Sequence, residues 1–264
     1  MTAVETPPAG LPPISLAAPP ASARRLELQL GAASVGAPGK ANEDFYTVVA
    51  PSDADAARRG VVLAVADGVS ASGSGCAAAQ SVIRSLSIDY YATPAQWSVG
   101  QSLDRLLRAA NEWLWGQHGR WPDHDSVVAA VSLLVLRDQR YYLAHVGDTR
   151  VYRLRGTLLQ QLTNDHTWQR RDMRHVLRRA VGLDNHLVVD FADGDLEDGD
   201  TFLMATDGVW EVLGDASMTE ILRRTSDEPE AAARTLVDAA QRHQAAYMGR
   251  NDATALVFRI RSAP

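Results

Sequence analysis

The chain has 264 residues, is 46% hydrophobic and 22% charged, and carries a formal charge of −6, enough for one large core or two small ones. Its basic residues are arginines apart from Lys40, with no run of like charge that would track a phosphate backbone, which argues against a nucleic-acid partner. Cys76 is the single cysteine, and the longest apolar stretch, Val127 to Leu136, falls short of the roughly 18–20 residues of a membrane helix; no disulfide framework, Cys-rich zinc site, secretory signal or membrane span is expected, and the chain reads as cytoplasmic.

Six of the twelve prolines lie in the first twenty residues, as Pro7-Pro8, Pro12-Pro13 and Pro19-Pro20 among Ala and Ser. Such a segment lacks backbone donors and large apolar side chains and cannot offset its ordering entropy, so residues 1–25 are expected to form a disordered arm and 26–264 one domain without linker or repeat. Strand-like runs follow at 26–30, 44–50, 61–66, 127–136, 140–146, 150–154, 157–162, 200–206 and 254–260. Gly147-Asp148 and Arg155-Gly156 sit between consecutive runs at hairpin spacing, which predicts an antiparallel meander. A helix is expected after the glycines at 73 and 75, roughly Cys76 to Tyr90. A second places Leu103, Leu106, Leu107, Ala110, Trp113 and Leu114 on one face behind a Ser98/Gln101 capping box. A third opens at Asp227 and Glu230 and aligns Ala233, Leu236, Val237 and Ala240. Hairpinned strands with a few long amphipathic helices predict an α+β layered sandwich.

Two runs share one grammar: Val61 to Ala66 ends in Asp67-Gly68, and Thr201 to Thr206 ends in Asp207-Gly208. Each delivers a carboxylate to the mouth of a buried strand, and the glycine is expected to let the chain turn sharply and leave its carbonyl accessible. Glu43-Asp44, after Asn42, heads the run Phe45 to Val49, and Asn251-Asp252 precedes another strand. Any one of these is an ordinary turn. Together, oxygen-only carboxylates at several strand ends, with no Cys cluster and no HExxH, are the ligand set for Mg²⁺ or Mn²⁺ rather than zinc. Two such ions about 3.5–4 Å apart can share a hydroxide and clamp both oxygens of an in-line phosphoryl displacement.

The ordered set Asn42-Glu43-Asp44, Ala66-Asp67-Gly68-Val69, Gly147-Asp148-Thr149-Arg150 with Tyr152, Thr206-Asp207-Gly208-Val209-Trp210 and Asn251-Asp252-Ala253-Thr254 resembles the PP2C (PPM) family of metal-dependent protein serine/threonine phosphatases, most of all its bacterial members. The resemblance covers roughly residues 26–261. It implies a four-layer α-β-β-α sandwich of two antiparallel sheets flanked by helices, with two or three Mn²⁺ or Mg²⁺ in the cleft. It further implies that Asp67 bridges two metals, Asp207 binds the first, Glu43 and the Gly68 carbonyl bind the second, Asp44 holds metal-bound water, and Asp148 serves a third metal shared with Asp207. Hydroxide bridging the metals would attack phosphorus in line, on a phosphorylated protein substrate, opposing a bacterial Ser/Thr kinase, with no membrane partner.

The sequence departs from the family pattern at several points. The substrate-gripping Arg three residues before the motif Asn is Gly39 here, leaving the adjacent Lys40 as the candidate phosphate-binding cation or as a solvated loop lysine. The last motif reads Asn251-Asp252 where the family has Asp-Asn: counting back from Thr254 puts Asn251 in the ligand slot, and the chemistry of the donor favours Asp252. Ala129 and Ala130 replace Thr or Ser, as core packing. Val69 stands where some eukaryotic relatives carry a proton-donating His, leaving a metal-bound water as donor. His166 reads as a structural histidine bonded to backbone, the other histidines as structural or exposed, and the arginine-rich segment 168–179 as a solvated face or a phosphoprotein-recognising flap. The rival reading is a catalytically weakened phosphatase-fold module that binds phosphoproteins or regulates; a two-metal phosphodiesterase is a third.

Overall fold

The structure is a computed structural model that describes residues 14–15, 26–51, 58–69, 75–117, 127–168, 173, 176–247 and 251–262. Most of the arm, Gly73-Ser74, the arginines at 170, 171 and 174 and the histidines at 118, 124 and 175 lie outside the described residues. Eleven strands and four helices are present among those described. One sheet has the order β1-β2-β11-β10-β7-β8, built from Ile14–Ser15 (β1), Leu26–Val35 (β2), Arg150–Arg155 (β7), Leu158–Gln161 (β8), Thr201–Ala205 (β10) and Ala253–Ser262 (β11). The other has the order β3-β4-β5-β6-β9, built from Asp44–Val49 (β3), Val61–Val69 (β4), Val128–Arg137 (β5), Arg140–Val146 (β6) and Asp190–Asp195 (β9). All neighbouring strands are antiparallel.

The strands alternate between two buried faces, and this alternation builds the layers. On β4, Val61, Leu63 and Val65 enter the space between the sheets, while Val62, Ala64 and Ala66 face helices α1 (Gly75–Ala92) and α2 (Val99–Trp115). On the opposing sheet, Phe202, Met204, Leu256, Phe258 and Ile260 fill the inter-sheet space, where the Phe202 and Phe258 rings stack at 4.8 Å. Leu203, Ala205, Ala255 and Val257 turn outward against α3 (Asp207–Arg224) and α4 (Pro229–Tyr247). Three buried clusters therefore separate four layers, helix, sheet, sheet, helix, as the α-β-β-α expectation required. The Ser98 hydroxyl and Gln101 side chain close the expected capping box at the start of α2.

The meander expectation fails at one place. Arg155-Gly156 does precede the β8 partner of β7, but β6 and β7 belong to different sheets, so Gly147-Asp148 is a crossing between layers rather than a hairpin turn. The true hairpin beside it joins β5 to β6 through Asp138 and Gln139, both at positive φ (52° and 59°). The structure adds three elements the periodicity did not mark. Strand β1 pairs Ile14 with Leu28 and Ser15 with Glu27, inside the segment expected to lack order. Strand β9, with its Asp-rich sequence, is the edge partner of β6. Helix α3 is interrupted at Gly214 (φ 68°, ψ 162°), which breaks its apolar stripe.

Candidate metal centre

The register of the second sheet sets Asp44 of β3 directly opposite Asp67 of β4. Asp44 is buried; its Oδ2 accepts the Thr206 hydroxyl at 2.8 Å, and its Oδ1 is buried with no hydrogen-bond partner. Thr206 lies between β10 and α3, immediately before Asp207. It is bonded twice to Thr254, its N–H donating to the Thr254 carbonyl at 3.1 Å and its side-chain Oγ1 accepting the Thr254 N–H at 3.0 Å. The strand ends that carry Asp44, Asp207 and Asp252 are thereby tied together across the two sheets.

Glu43 is held from three sides. Its carbonyl accepts the Gly68 N–H at 3.0 Å, its Oε1 accepts the Gly75 N–H at 2.8 Å, and its own N–H donates to Asp252 Oδ2 at 2.7 Å. A Cβ on Gly75 would fall 2.3 Å from Glu43 Oε1 and 2.5 Å from the Gly68 oxygen, so the segments meet in a cradle that any side chain would fill. Gly68 continues β4 instead of turning it, and Gly208 is the second residue of α3, where a Cβ would lie 1.8 Å from the Asp252 carbonyl. Both Asp-Gly glycines serve close approach, which corrects the sharp-turn expectation.

The Asn251-Asp252 pair divides its work. Asp252 accepts the Ala37 N–H at 2.6 Å on Oδ1 and the Glu43 N–H on Oδ2, pinning both feet of the loop that carries Gly39 and Lys40. The Asn251 amide donates to Asp207 Oδ1 at 2.9 Å. The amide thus bonds Asp207, while both Asp252 carboxylate oxygens accept backbone N–H groups. Lys40 is exposed in that loop, its N–H donating to the Ala37 carbonyl at 3.3 Å. Asp148 occupies the crossing turn between β6 and β7, where its carbonyl accepts the Trp210 indole N–H at 3.1 Å.

Burial and mutual repulsion dominate the electrostatics. Asp44 is pushed up from 3.8 to about 8, by burial first and then by Asp207 and Asp252, against hydrogen bonds from Thr254 and Thr206. Burial raises Asp67 well above the carboxylate range, followed by Asp44, Asp207, Asp148 and Asp252. Asp148 rises to about 7 by burial, then Asp207 and Asp165. Such a set resists ionising together unless cations neutralise it. Among the described residues no three Asp, Glu, His or Cys side chains converge on one point as a ready cage. The orphaned Asp44 oxygen, the Glu43/Gly68 cradle and the all-oxygen donor set nevertheless fit hard divalent ions.

Residues 57–261 match the family model described as Stage II sporulation protein E (SpoIIE). The chain belongs to the SpoIIE/PP2C-type family of bacterial PPM phosphatases. This PPM-family chain is 24% identical over 180 residues to the serine/threonine phosphatase stp of Listeria innocua, covering 61% of this chain and 71% of that protein. It is 26% identical over 177 residues to the serine/threonine protein phosphatase PstP of Mycobacterium tuberculosis, there covering 34% of that longer protein. Among solved structures, PppA, described as a key regulatory component of T6SS in Pseudomonas aeruginosa, superposes with a TM-score of 0.73 at 26% identity, over 88% of this chain and 97% of that one. The catalytic domain of PstP in complex with two manganese ions gives 0.72 at 26% identity, over 90% and 100%.

Several residues other than the carboxylates at the strand mouths support this PPM-family site, and of these Ser34 and Asp165 lie outside the motifs. Ser34 and Asn42 link β2 to the Glu43 loop, Asn42 donating to Ser34 Oγ at 2.8 Å and Ser34 lying 2.7 Å from Thr254 Oγ1. Arg150 grips Asp165 with two bonds of 2.9 and 2.6 Å while its guanidinium covers the Trp210 ring at 3.5 Å. The Trp210 indole N–H in turn donates to the Asp148 carbonyl, so this ring links Arg150 to the crossing turn.

Proposed function

We propose that this chain hydrolyses phosphoserine and phosphothreonine in protein substrates, in the cytoplasm, in opposition to a Ser/Thr kinase. The observation that carries this reading is the Asp44–Asp67 pair at the strand mouths, closed over by Thr206-Asp207, with one buried Asp44 oxygen left unmatched. In this reading Asp67 would hold two divalent ions, Asp207 the first, Glu43 and the Gly68 carbonyl the second, and Asp148 with Asp207 a third. Bound Mn²⁺ or Mg²⁺ supplies charge neutralisation for the phosphoryl oxygens and acidifies water to a nucleophile near neutral pH. Asp44, anchored through Oδ2 by Thr206, orients the attacking water with its remaining oxygen. The Asp252 clamp fixes the loop that presents Lys40, the side chain assigned to meet the substrate phosphate as a point charge. Position 69 is an exposed valine, so the side chain there offers no proton to the leaving alkoxide.

One observation favours the weakened-module reading: a neutral amide, Asn251, adjoins Asp207 where a carboxylate would strengthen the first metal position. Turnover of a phosphothreonine peptide with Mn²⁺, abolished by EDTA and by Asp67→Asn, supports the phosphatase. Tight Mn²⁺ binding without turnover, or no binding at all, rejects it in favour of the module.

A further inference from the structure

Resting on the proposed binding of divalent ions at Asp148 and Asp207, we propose that Asp190, acting through His166, is a positioning residue for Asp148. Asp148 has no strand to hold it, because it lies where the chain crosses between sheets. Its turn is fixed instead by packing and by His166. Gly147 takes φ 110°, and a Cβ there would fall 2.3 Å from the Ala130 side chain and 2.6 Å from its Cα, so the backbone has one place to go.

The buried His166 brackets that glycine. Its N–H donates to the Gly147 carbonyl at 2.7 Å, and its ring Nδ1 faces the Gly147 N–H at 3.1 Å. A ring nitrogen facing an N–H must accept, so Nδ1 is bare and the ring proton sits on Nε2. Nε2 lies 3.0 Å from Asp190 Oδ2, which accepts that proton. Arg179, 3.4 Å from the same nitrogen, is itself a donor and cannot serve; it bonds Asp190 Oδ1 at 3.1 Å and leaves Oδ2 for the histidine. The neighbouring His145 ring, centred 4.9 Å away, is engaged elsewhere, with Ser132 Oγ at 2.9 Å and the Asn164 carbonyl at 3.1 Å. Asp190 therefore selects the tautomer on which the Gly147 bond depends. With the proton on Nδ1, two donors would oppose each other at 3.1 Å and the turn would shift.

The other side of the turn is already fixed by the Trp210 bond to the Asp148 carbonyl and by the Thr149 hydroxyl 2.8 Å from Ser132 Oγ. Residues behind metal ligands typically contribute 10–100-fold in affinity by such orientation. The His166 carbonyl accepts the N–H groups of Arg178, at 2.6 Å, and Arg179, at 3.3 Å, so these two arginines are tied to the residue that sets Asp148.

The test is a calorimetric Mn²⁺ titration of wild type, Asp148→Asn, Asp190→Asn, His166→Asn and the double variant Asp190→Asn/His166→Asn. Asp148→Asn identifies the class of Mn²⁺ site that depends on Asp148. Asp190→Asn is expected to weaken that class about tenfold or more and to leave the remaining sites unchanged. An asparagine oxygen can occupy the place of Nδ1 without needing a partner at Nε2, so His166→Asn should retain most of the affinity, and adding Asp190→Asn to it should cost nothing further. Asp190→Asn titrating like wild type, or weakening all sites alike, overturns the positioning role while the metal-site reading stands. A wild type that binds no Mn²⁺ overturns the metal-site reading itself.

Discussion

Asp44→Asn separates the cost of an ionised buried carboxylate from its use. In the metal-free protein Asp44 holds its proton up to about pH 8, whereas in the unfolded chain it releases it near 3.8. The folded state therefore binds the extra proton between those values, and this contribution to stability is complete below pH 4 and is lost as the pH rises toward 8. At about 1.4 kcal/mol per pH unit the ceiling is roughly 6 kcal/mol. Water entry and side-chain relaxation lower the expectation to ~1–2 kcal/mol, a gain of about 2–6 °C in Tm for a chain of this size. The variant in EDTA at pH 8 should thus melt above wild type, and the gap should shrink at pH 5. With Mn²⁺ the order should reverse, because ligand at a hundred times its Kd stabilises wild type by about 2.7 kcal/mol and the variant has lost part of that binding. Scanning calorimetry with EDTA and with Mn²⁺ at both pH values reads all four numbers. A variant that melts below wild type in EDTA at pH 8, with an undiminished response to Mn²⁺, would refute the picture of a carboxylate destabilised until a cation arrives.

Asp67→Asn and Asp207→Asn should each lower p-nitrophenyl phosphate turnover on the order of 10³-fold or more with an unchanged circular dichroism spectrum, and retained turnover removes both from the site. Gly75→Ala drives a methyl into Glu43 Oε1, so the Mn²⁺ concentration giving half-maximal activity should rise about tenfold; an unchanged value shows that Glu43 is not a ligand. Burial first, and then His166, lowers His145 to about 4. The unfolded chain takes up that proton near pH 6.5 and the folded one does not, so stability should fall by up to roughly 3 kcal/mol as pH drops from 6.5 to 4, and His145→Gln should flatten that slope in urea titrations. Phe258→Ala removes a fully buried ring stacked on Phe202 and should cost about 3–5 kcal/mol by denaturant titration, with a cost under 1 kcal/mol showing that the inter-sheet space can close around the gap.

The carboxylates of the site were legible because each sits at the mouth of a strand whose apolar run is itself legible: Val61 to Ala66 before Asp67, and Thr201 to Ala205 before Asp207. The capping box at Ser98 and the hairpin after Arg155 were legible for the same reason, since both are set by neighbours in sequence. The β5–β6 turn was not, because Asp138 and Gln139 adopt positive φ without a glycine to announce it. Strand β9 was hidden by its composition: an edge strand needs only backbone pairing on one side and tolerates aspartates that propensity disfavours.

By itself the sequence determined the strands that fill two buried faces, the amphipathic helices that cover them and the acidic residues at the strand ends, because periodicity and turn chemistry are properties of adjacent residues. Only the tertiary structure decided that Gly147-Asp148 crosses between sheets, that the Asn251 amide bonds Asp207 while both Asp252 carboxylate oxygens accept backbone N–H groups, and that Asp190 reaches Gly147 through His166. Those outcomes depend on contacts between residues far apart in the chain, such as Thr206 with Asp44 and Asp252 with Ala37, where close packing leaves a single arrangement that no local pattern encodes.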